Sequence, residues 1–275
     1  MHDVTKQWAA ALSDAWGIDA TLEPLPGEFD LNFRATTRDG ATYVLKVMRA
    51  ECDASFVSLL CAAHQHIRSR DASVPVPAVI ATVDGKPWCV RADENGADRM
   101  LWLLSWLEGA AYARFQPHSR ALASSIGDAV ARMDRALADF THPALRRELK
   151  WNLLHADWIG AHLHEIADPA RRAIVERSLN RYLTLKPALL AQPLAVIHND
   201  LNDYNLLVAR ANDGAPALTG IVDFGDMIDG PLVAEIAIAG AYLALEHPAP
   251  DLALAEFVAA YHRVTPLSGA QVDLI

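Results

Sequence analysis

Residues 194–226, LAVIHNDLNDYNLLVARANDGAPALTGIVDFGD, carry two short apolar strands with polar residues at fixed spacing. His198-x-Asp200 is followed five residues on by Asn205, and the second strand ends in Asp223-Phe224-Gly225. An acid in a loop after a strand can orient a hydroxyl and take its proton. An amide oxygen and a second carboxylate can hold magnesium, which bridges and neutralises nucleotide phosphates. The order is that of a phosphoryl-transfer site. Arg210 to Ala215 reads as the hairpin turn that brings Asn205 and Asp223 to one end of the strand pair.

The rest of the chain bounds this reading. With 275 residues, 52% of them hydrophobic, it can bury a substantial core in one large domain or two lobes. A net charge of −10 argues against a nucleic-acid partner, whose affinity comes largely from basic contacts to phosphate. It is compatible with a cationic or zwitterionic small molecule. Three cysteines, Cys52, Cys61 and Cys89, lack zinc-ligand spacing and fit a reducing cytoplasm. The N-terminus has no signal-peptide pattern, and the longest apolar run, Leu232 to Leu245, is interrupted by Glu235, so no membrane partner is expected.

Residues 3–16 fit a short amphipathic helix ending at Gly17. TLEPL, FDLNFRATT and ATYVLKVM then read as an antiparallel meander, followed by a helix from Asp53 to Arg70 with Phe56, Leu59, Leu60, Ala63 and Ile67 on one face. AVIATV and PWCV are expected to pair across Asp84-Gly85, and Met100 to Leu107 forms a further strand. Helices are expected over Ser119–Phe140, Leu149–Ile166, Pro169–Leu190, Pro231–Glu246 and Pro250–His262. The pattern predicts an α+β fold: a small N-terminal antiparallel-sheet lobe with one helix, residues 1–104, and a larger, mostly helical C-terminal lobe, residues 105–275. The two are expected to clasp a cleft.

Lys46 ends the strand Tyr43-Val44-Leu45-Lys46, where its ammonium can neutralise phosphates; an edge lysine in water is the ordinary reading of such a position. The downstream motifs, in the right order, favour the first. His198-Asn199-Asp200-Leu201-Asn202-Asp203-Tyr204-Asn205 matches the kinase pattern H-x-D-L-x-x-x-N. Asp200 then positions the hydroxyl, and Asn205 and Asp223 are the metal ligands. His198 is expected to brace the loop rather than to exchange protons. Glu235, a lone acid on an apolar helix, needs a partner if buried; it either anchors the catalytic loop from below or faces solvent.

These residues resemble the aminoglycoside phosphotransferase and choline kinase group, a branch of the protein-kinase-like fold. Within that group HNDLNDYNLLV, TGIVDFGDMIDGPLVAEIAIAGAYL, Asn32-Phe33-Arg34, WNLL at 151–154 and VTPLS at 264–268 resemble the hydroxylysine kinases, over nearly the whole chain. The resemblance implies phosphorylation of a hydroxyl on a small amine or amino acid, with ATP or GTP as donor and Mg2+ as cofactor. It also implies that the backbone at Ser105, Trp106 and Leu107 reads the purine edge.

Some features depart from protein kinases. Leu25 to Asp30 holds one glycine, so phosphate cover needs help from Asn32 or Arg34, and the acidic partner of Lys46 is Glu51 unless Glu51 and Asp53 cap the helix. A helix begins within a few residues of Asp223, at Asp229-Gly230-Pro231, which leaves no platform for a peptide and makes the acceptor small. Asp203, Asp226, Asp229 and Asp157 are candidates to hold an acceptor ammonium, each weighed against simple loop solvation. Hydroxylysine leads as acceptor; homoserine, choline or ethanolamine, and an aminoglycoside are alternatives within the class, and a nucleotide-binding pseudokinase module is the alternative outside it. The last residues, Gln271 to Ile275, fall inside a helix beginning near Ser268, so the chain reads as a fragment or the leading domain of a longer protein.

Overall fold

The computed structural model describes residues 4–211, 214–245 and 247–275. The chain divides into two compact units at the Glu108–Gly109 bond. In the first unit, helix α1 (Val4–Trp16) buries Trp8, Ala11, Leu12, Ala15 and Trp16 on one face. It stops at Gly17, whose φ of +66° suits glycine and lets its N–H return to the Ser13 carbonyl at 2.8 Å.

This helix covers an antiparallel sheet built from β1 (Ala20–Leu25), β2 (Leu31–Thr37), β3 (Thr42–Val47), β4 (Val79–Ile80), β5 (Cys89–Ala92) and β6 (Asp98–Ser105), in the order β1-β2-β3-β6-β4 with β5 also on β6. Strand side chains alternate between faces. Phe33, Ala35, Leu45, Val47, Leu101 and Leu103 pack with Trp8, Leu12 and Trp16 in one core. The register then sets Asn32 directly across from Lys46, and Lys46 across from Trp102, on the other face.

Two details differ from the sequence reading. AVIATV and PWCV do not pair with each other: β4 lies on Leu103–Leu104 and β5 on Asp98–Leu101, so both use the long, buried β6 as partner. Asp84-Gly85 is a local turn, closed by the Gly85 N–H on the Thr82 carbonyl at 2.9 Å. Helix α2 (Ala54–Arg70) buries Val57, Cys61 and His64 beside Leu59, Leu60, Ala63 and Ile67, whereas Phe56 is only half-buried. His64 Nδ1 lies 2.7 Å from the Leu60 carbonyl and its ring stands edge-on to Trp102, so it is a packed core histidine.

The second unit opens with β7 (Ala110–Ala111) and is built around α3 (Arg120–Leu137), α6 (Leu232–Ala244) and α7 (Pro250–Val264). Ser119 caps α3, accepting the Leu122 N–H at 3.2 Å. Gly127 lets α3 approach α7 closely, since a Cβ there would stand 2.3 Å from the Phe257 carbonyl oxygen. The stretch expected as one helix over 149–166 is a series of short 3-10 turns around α4 (Ile159–His162), entered where the Asn152 side chain accepts the Leu154 N–H. α5 (Pro169–Leu190) follows, capped by Asp168. Strand β8 (Leu194–Ile197) pairs with β11 (Ile228–Pro231), and β9 (Leu206–Arg210) pairs with β10 (Pro216–Ile221). Within the expected turn between β9 and β10, residues 212 and 213 lie outside the described residues, as do the expected helix ends at 3 and 246. α8 (Gly269–Val272) starts from a Ser268–Gln271 capping box. Among the described residues no helix is long and apolar enough to cross a membrane.

Candidate active site

The loop from His198 to Asn205 leaves β8 and enters β9, and an anchor from below fixes its start. Glu235, fully buried on α6, accepts the His198 N–H on Oε1 and the Asn199 N–H on Oε2, both at 2.8 Å. Burial pushes this carboxyl up to about 7 while the two N–H bonds pull it down. The anchor matters because Asn199 has a left-handed φ of 66°, which a non-glycine residue adopts at a cost of order 1 kcal/mol or more. His198 is buried too. Its Nε2 lies 3.0 Å from the Val222 carbonyl, and its Nδ1 accepts the Asp200 N–H at 3.3 Å. Burial holds the ring neutral, with its pKa lowered to about 4.

Asp200 stands between two amides. Asn202 Nδ2 reaches both carboxylate oxygens, at 2.9 and 3.0 Å, and Asn205 Nδ2 reaches Oδ2 and the Asp200 carbonyl, each at 2.8 Å. Asn202 also accepts the Tyr204 and Asn205 N–H groups at 2.8 and 3.1 Å, closing the loop on itself. Burial raises the Asp200 carboxyl to about 6; Asn202 and Asn205 pull it down, while Asp226 and Asp223 add to the rise. The Asn205 amide nitrogen is occupied by Asp200, so its carbonyl oxygen is the atom left for a cation.

Asp223 sits at φ 64°, ψ 69°, the second left-handed non-glycine residue among those described. A Cβ on Gly225 would stand 3.3 Å from Asp223 Oδ1, so glycine keeps the space beside that carboxylate open. The Val222 N–H bonds to the Asn205 carbonyl at 3.0 Å and ties the two candidate ligands together. No group of three His, Cys, Asp or Glu could hold a metal among the described residues. One amide and one carboxylate form a two-donor set. That set fits magnesium, a hard cation that takes its remaining oxygens from phosphate and water.

The other expected residues divide. Asp203 accepts the Ala113 N–H at 2.9 Å through its backbone, and its charge, like that of Asp200, bears on the Tyr242 phenol of α6. Asp226 is near enough to Asp200 to raise it. Asp229 is 3.9 Å from Arg146, and Asp157 is 2.6 Å from Lys186, which holds the Asp157 carboxyl below the usual range. Asp157 shares its charge with a close cation of the chain itself, which weakens it as a holder of an acceptor ammonium, whereas the long, solvent-open Arg146 pair does little to Asp229.

In the first unit, the Lys46 ammonium lies 5.8 Å from the Trp102 ring centre. Glu51 is exposed in the turn ahead of α2, whereas Asp53 caps that helix by accepting the Ser55 N–H at 2.9 Å. Asn32 Nδ2 donates to the Pro26 carbonyl at 3.0 Å, and a Cβ on Gly27 would collide with it at 2.4 Å, so Asn32 braces the single-glycine loop from beneath. The Arg34 guanidinium lies 4.8 Å over the Trp106 ring. The Ser105 and Trp106 N–H groups donate to Ala78 and Thr42 carbonyls at 2.9 and 3.3 Å, which removes both as donors to a purine edge. Leu107 is the remaining backbone donor of that trio. Asn202 and Arg147, whose Nη2 donates to the Gly225 and Met227 carbonyls, are not singled out by the sequence; for Asn202 the only signal is its place inside the H-x-D-L-x-x-x-N pattern.

A profile described as the phosphotransferase enzyme family matches residues 21–271. The hydroxylysine kinase of Mus musculus is 27% identical over 285 residues, covering 96% of this chain and 76% of the mouse protein. The hydroxylysine kinase of Danio rerio is 28% identical over 269 residues, covering 94% of this chain and 75% of the fish protein. Among solved structures, an amicoumacin kinase in complex with AMP-PNP, Ca2+ and Ami aligns with a TM-score of 0.70 at 14% identity, covering 96% of this chain and 78% of that one.

Proposed function

This chain belongs to the phosphotransferase enzyme family and is a small-molecule kinase with a hydroxyl acceptor, and on that premise we propose that it transfers the γ-phosphoryl group of a magnesium nucleotide, ATP or GTP, to an amino-bearing metabolite, with 5-hydroxylysine first. The observation that carries the reading is the Asp200 carboxylate held at 2.8–3.0 Å by Asn202 and Asn205. A carboxylate so fixed is aimed without being neutralised, since amides donate hydrogen bonds but add no charge. The likeness to hydroxylysine kinases over nearly the whole chain supports the acceptor.

In this mechanism Asp200 accepts a hydrogen bond from the acceptor hydroxyl and directs its oxygen at the γ-phosphorus. The new O–P bond forms as the bond from phosphorus to the bridging oxygen breaks; the nucleoside diphosphate leaves with that oxygen, and the hydroxyl proton passes late to Asp200. Burial makes Asp200 a better base than an exposed aspartate while leaving it ionised near neutral pH. Asn205 Oδ1 and Asp223 would hold magnesium, which would offset phosphate charge. Lys46 offsets more of it, and the Asp203 and Asp226 carboxylates attract an acceptor ammonium. The test is nucleotide consumption over a panel of hydroxylysine, homoserine, choline, ethanolamine, aminoglycosides and neutral polyols, with Asp200→Ala as control. Hydroxylysine-dependent turnover that the variant loses is expected. Equal turnover of neutral polyols would remove the ammonium site, and turnover unaffected by Asp200→Ala would remove the mechanism.

A further inference from the structure

Asp223 occupies a left-handed conformation that its own residue type disfavours, so its place depends on what holds the flanking backbone. The upstream side is tied by Val222 to Asn205 and His198. The downstream side, a 3-10 turn over Phe224–Asp226, is tied by a residue from a distant loop: Arg147 Nη2 donates to the Gly225 carbonyl and, at 3.3 Å, to the Met227 carbonyl. One guanidinium nitrogen thus spans the turn from its middle to the residue that ends it. Arg147 is itself held in place, because Leu145, two residues before it, is buried, and Leu149, two after it, packs on Ile197, Ile228 and Ala234. Its neighbour Arg146 reaches Asp229 further along the same segment, but that exposed pair contributes little.

We propose that Arg147 is a positioning residue for Asp223: by clamping the carbonyls of Gly225 and Met227 it sets the carboxylate where the cation of the metal–nucleotide complex is bound. The inference rests on the reading of Asp223 as a metal ligand. Groups behind a ligand typically change metal affinity by about 10–100-fold when removed. A guanidinium suits this task better than an ammonium, because the two N–H groups of Nη2 are fixed in the guanidinium plane and can meet two acceptors at once. Cation affinity is therefore expected to depend on Arg147, whereas affinity for metal-free nucleotide is not.

The test titrates Mn2+ by electron paramagnetic resonance into the full chain saturated with AMP-PNP or GMP-PNP, whichever the wild type binds more tightly. The variants are Arg147→Gln, Arg147→Lys and, as control, Asp223→Asn, with thermal melting and metal-free nucleotide binding measured on each. The expected result is a Mn2+ affinity about tenfold or more weaker in Arg147→Gln, a smaller loss in Arg147→Lys, and metal-free nucleotide affinity within about twofold of wild type. If Arg147→Gln does not fold, Arg147→Lys decides: Mn2+ affinity weaker than wild type with metal-free nucleotide affinity unchanged supports the inference, and wild-type Mn2+ affinity overturns it. Weakened Mn2+ binding in Asp223→Asn, with both Arg147 variants at wild-type affinity, overturns the inference even if their melting temperatures fall. Unchanged Mn2+ binding in Asp223→Asn overturns the metal-ligand reading itself, and the inference with it.

Discussion

Asp200 and His198 lie two residues apart and are perturbed in opposite senses by the same cause. Burial raises the acid and lowers the base, and in both cases it favours the neutral form. For His198 the consequence is a pH-dependent stability. Its folded pKa of about 4 lies below the ordinary 6.5, so acidification protonates the unfolded chain first. The contribution is fully present above pH 6.5 and is lost as pH falls toward 4, by about 3 kcal/mol at 1.36 kcal/mol per unit. Glu235 and Asp134, both raised by burial, act in the opposite sense, so the histidine is isolated by difference. Denaturant unfolding of wild type and His198→Gln at pH 7.5 and pH 4.5 should show the wild type losing more stability on acidification. Parallel losses in the two proteins would assign the acid sensitivity elsewhere.

At the scale of elements, α6 carries the catalytic loop on one side chain. In Glu235→Gln one of the two buried N–H groups loses its acceptor and meets an amide N–H instead, at a cost of about 1–3 kcal/mol. A lower melting temperature and a lower kcat are expected together. Neither changing would count against Glu235 as the anchor of the loop. The α3–α7 contact makes a separate prediction, since Gly127→Ala sets a methyl group 2.3 Å from the Phe257 carbonyl. The backbones must part, and overpacking of this kind costs about 1–3 kcal/mol, read as a lower denaturation midpoint with the catalytic-loop residues unaltered. The Glu235 anchor was half legible in the sequence: a lone acid on an apolar helix had to be either paired or exposed, and pattern could not say which. The pairing of β4 and β5 was not legible, because each is short and the strand that takes both, β6, lies farther along the chain. The 149–166 stretch misled for a local reason, since its apolar spacing suits a helix but Asn152 bonds to the backbone and starts a 3-10 turn.

Across the whole molecule, what could be read in advance was chemistry written over short spans. His198, Asp200, Asn205 and Asp223 announce themselves because a phosphoryl-transfer loop needs those groups at that spacing. Arg147 does not, because its partners are carbonyls, which have no sequence identity, and they lie 78 and 80 positions away. The expected base-reading backbone met a similar limit: the Ser105 and Trp106 donors were already committed to Ala78 and Thr42, a fact of tertiary pairing. A net charge of −10 favours a cationic acceptor over an anionic one.

If Asp200 directs an acceptor hydroxyl at the γ-phosphorus, the phosphorylated acceptor itself is the readout. Wild type and Asp200→Asn, each with ATP and with GTP, are incubated with 5-hydroxylysine or lysine, and the amino acid is weighed by mass spectrometry. A phosphorylated product is expected from hydroxylysine and none from lysine, with the rate in Asp200→Asn lower by about 10²–10⁴-fold. Nucleotide hydrolysis without phosphorylated amino acid, or the same product yield from Asp200→Asn, would contradict that role of Asp200.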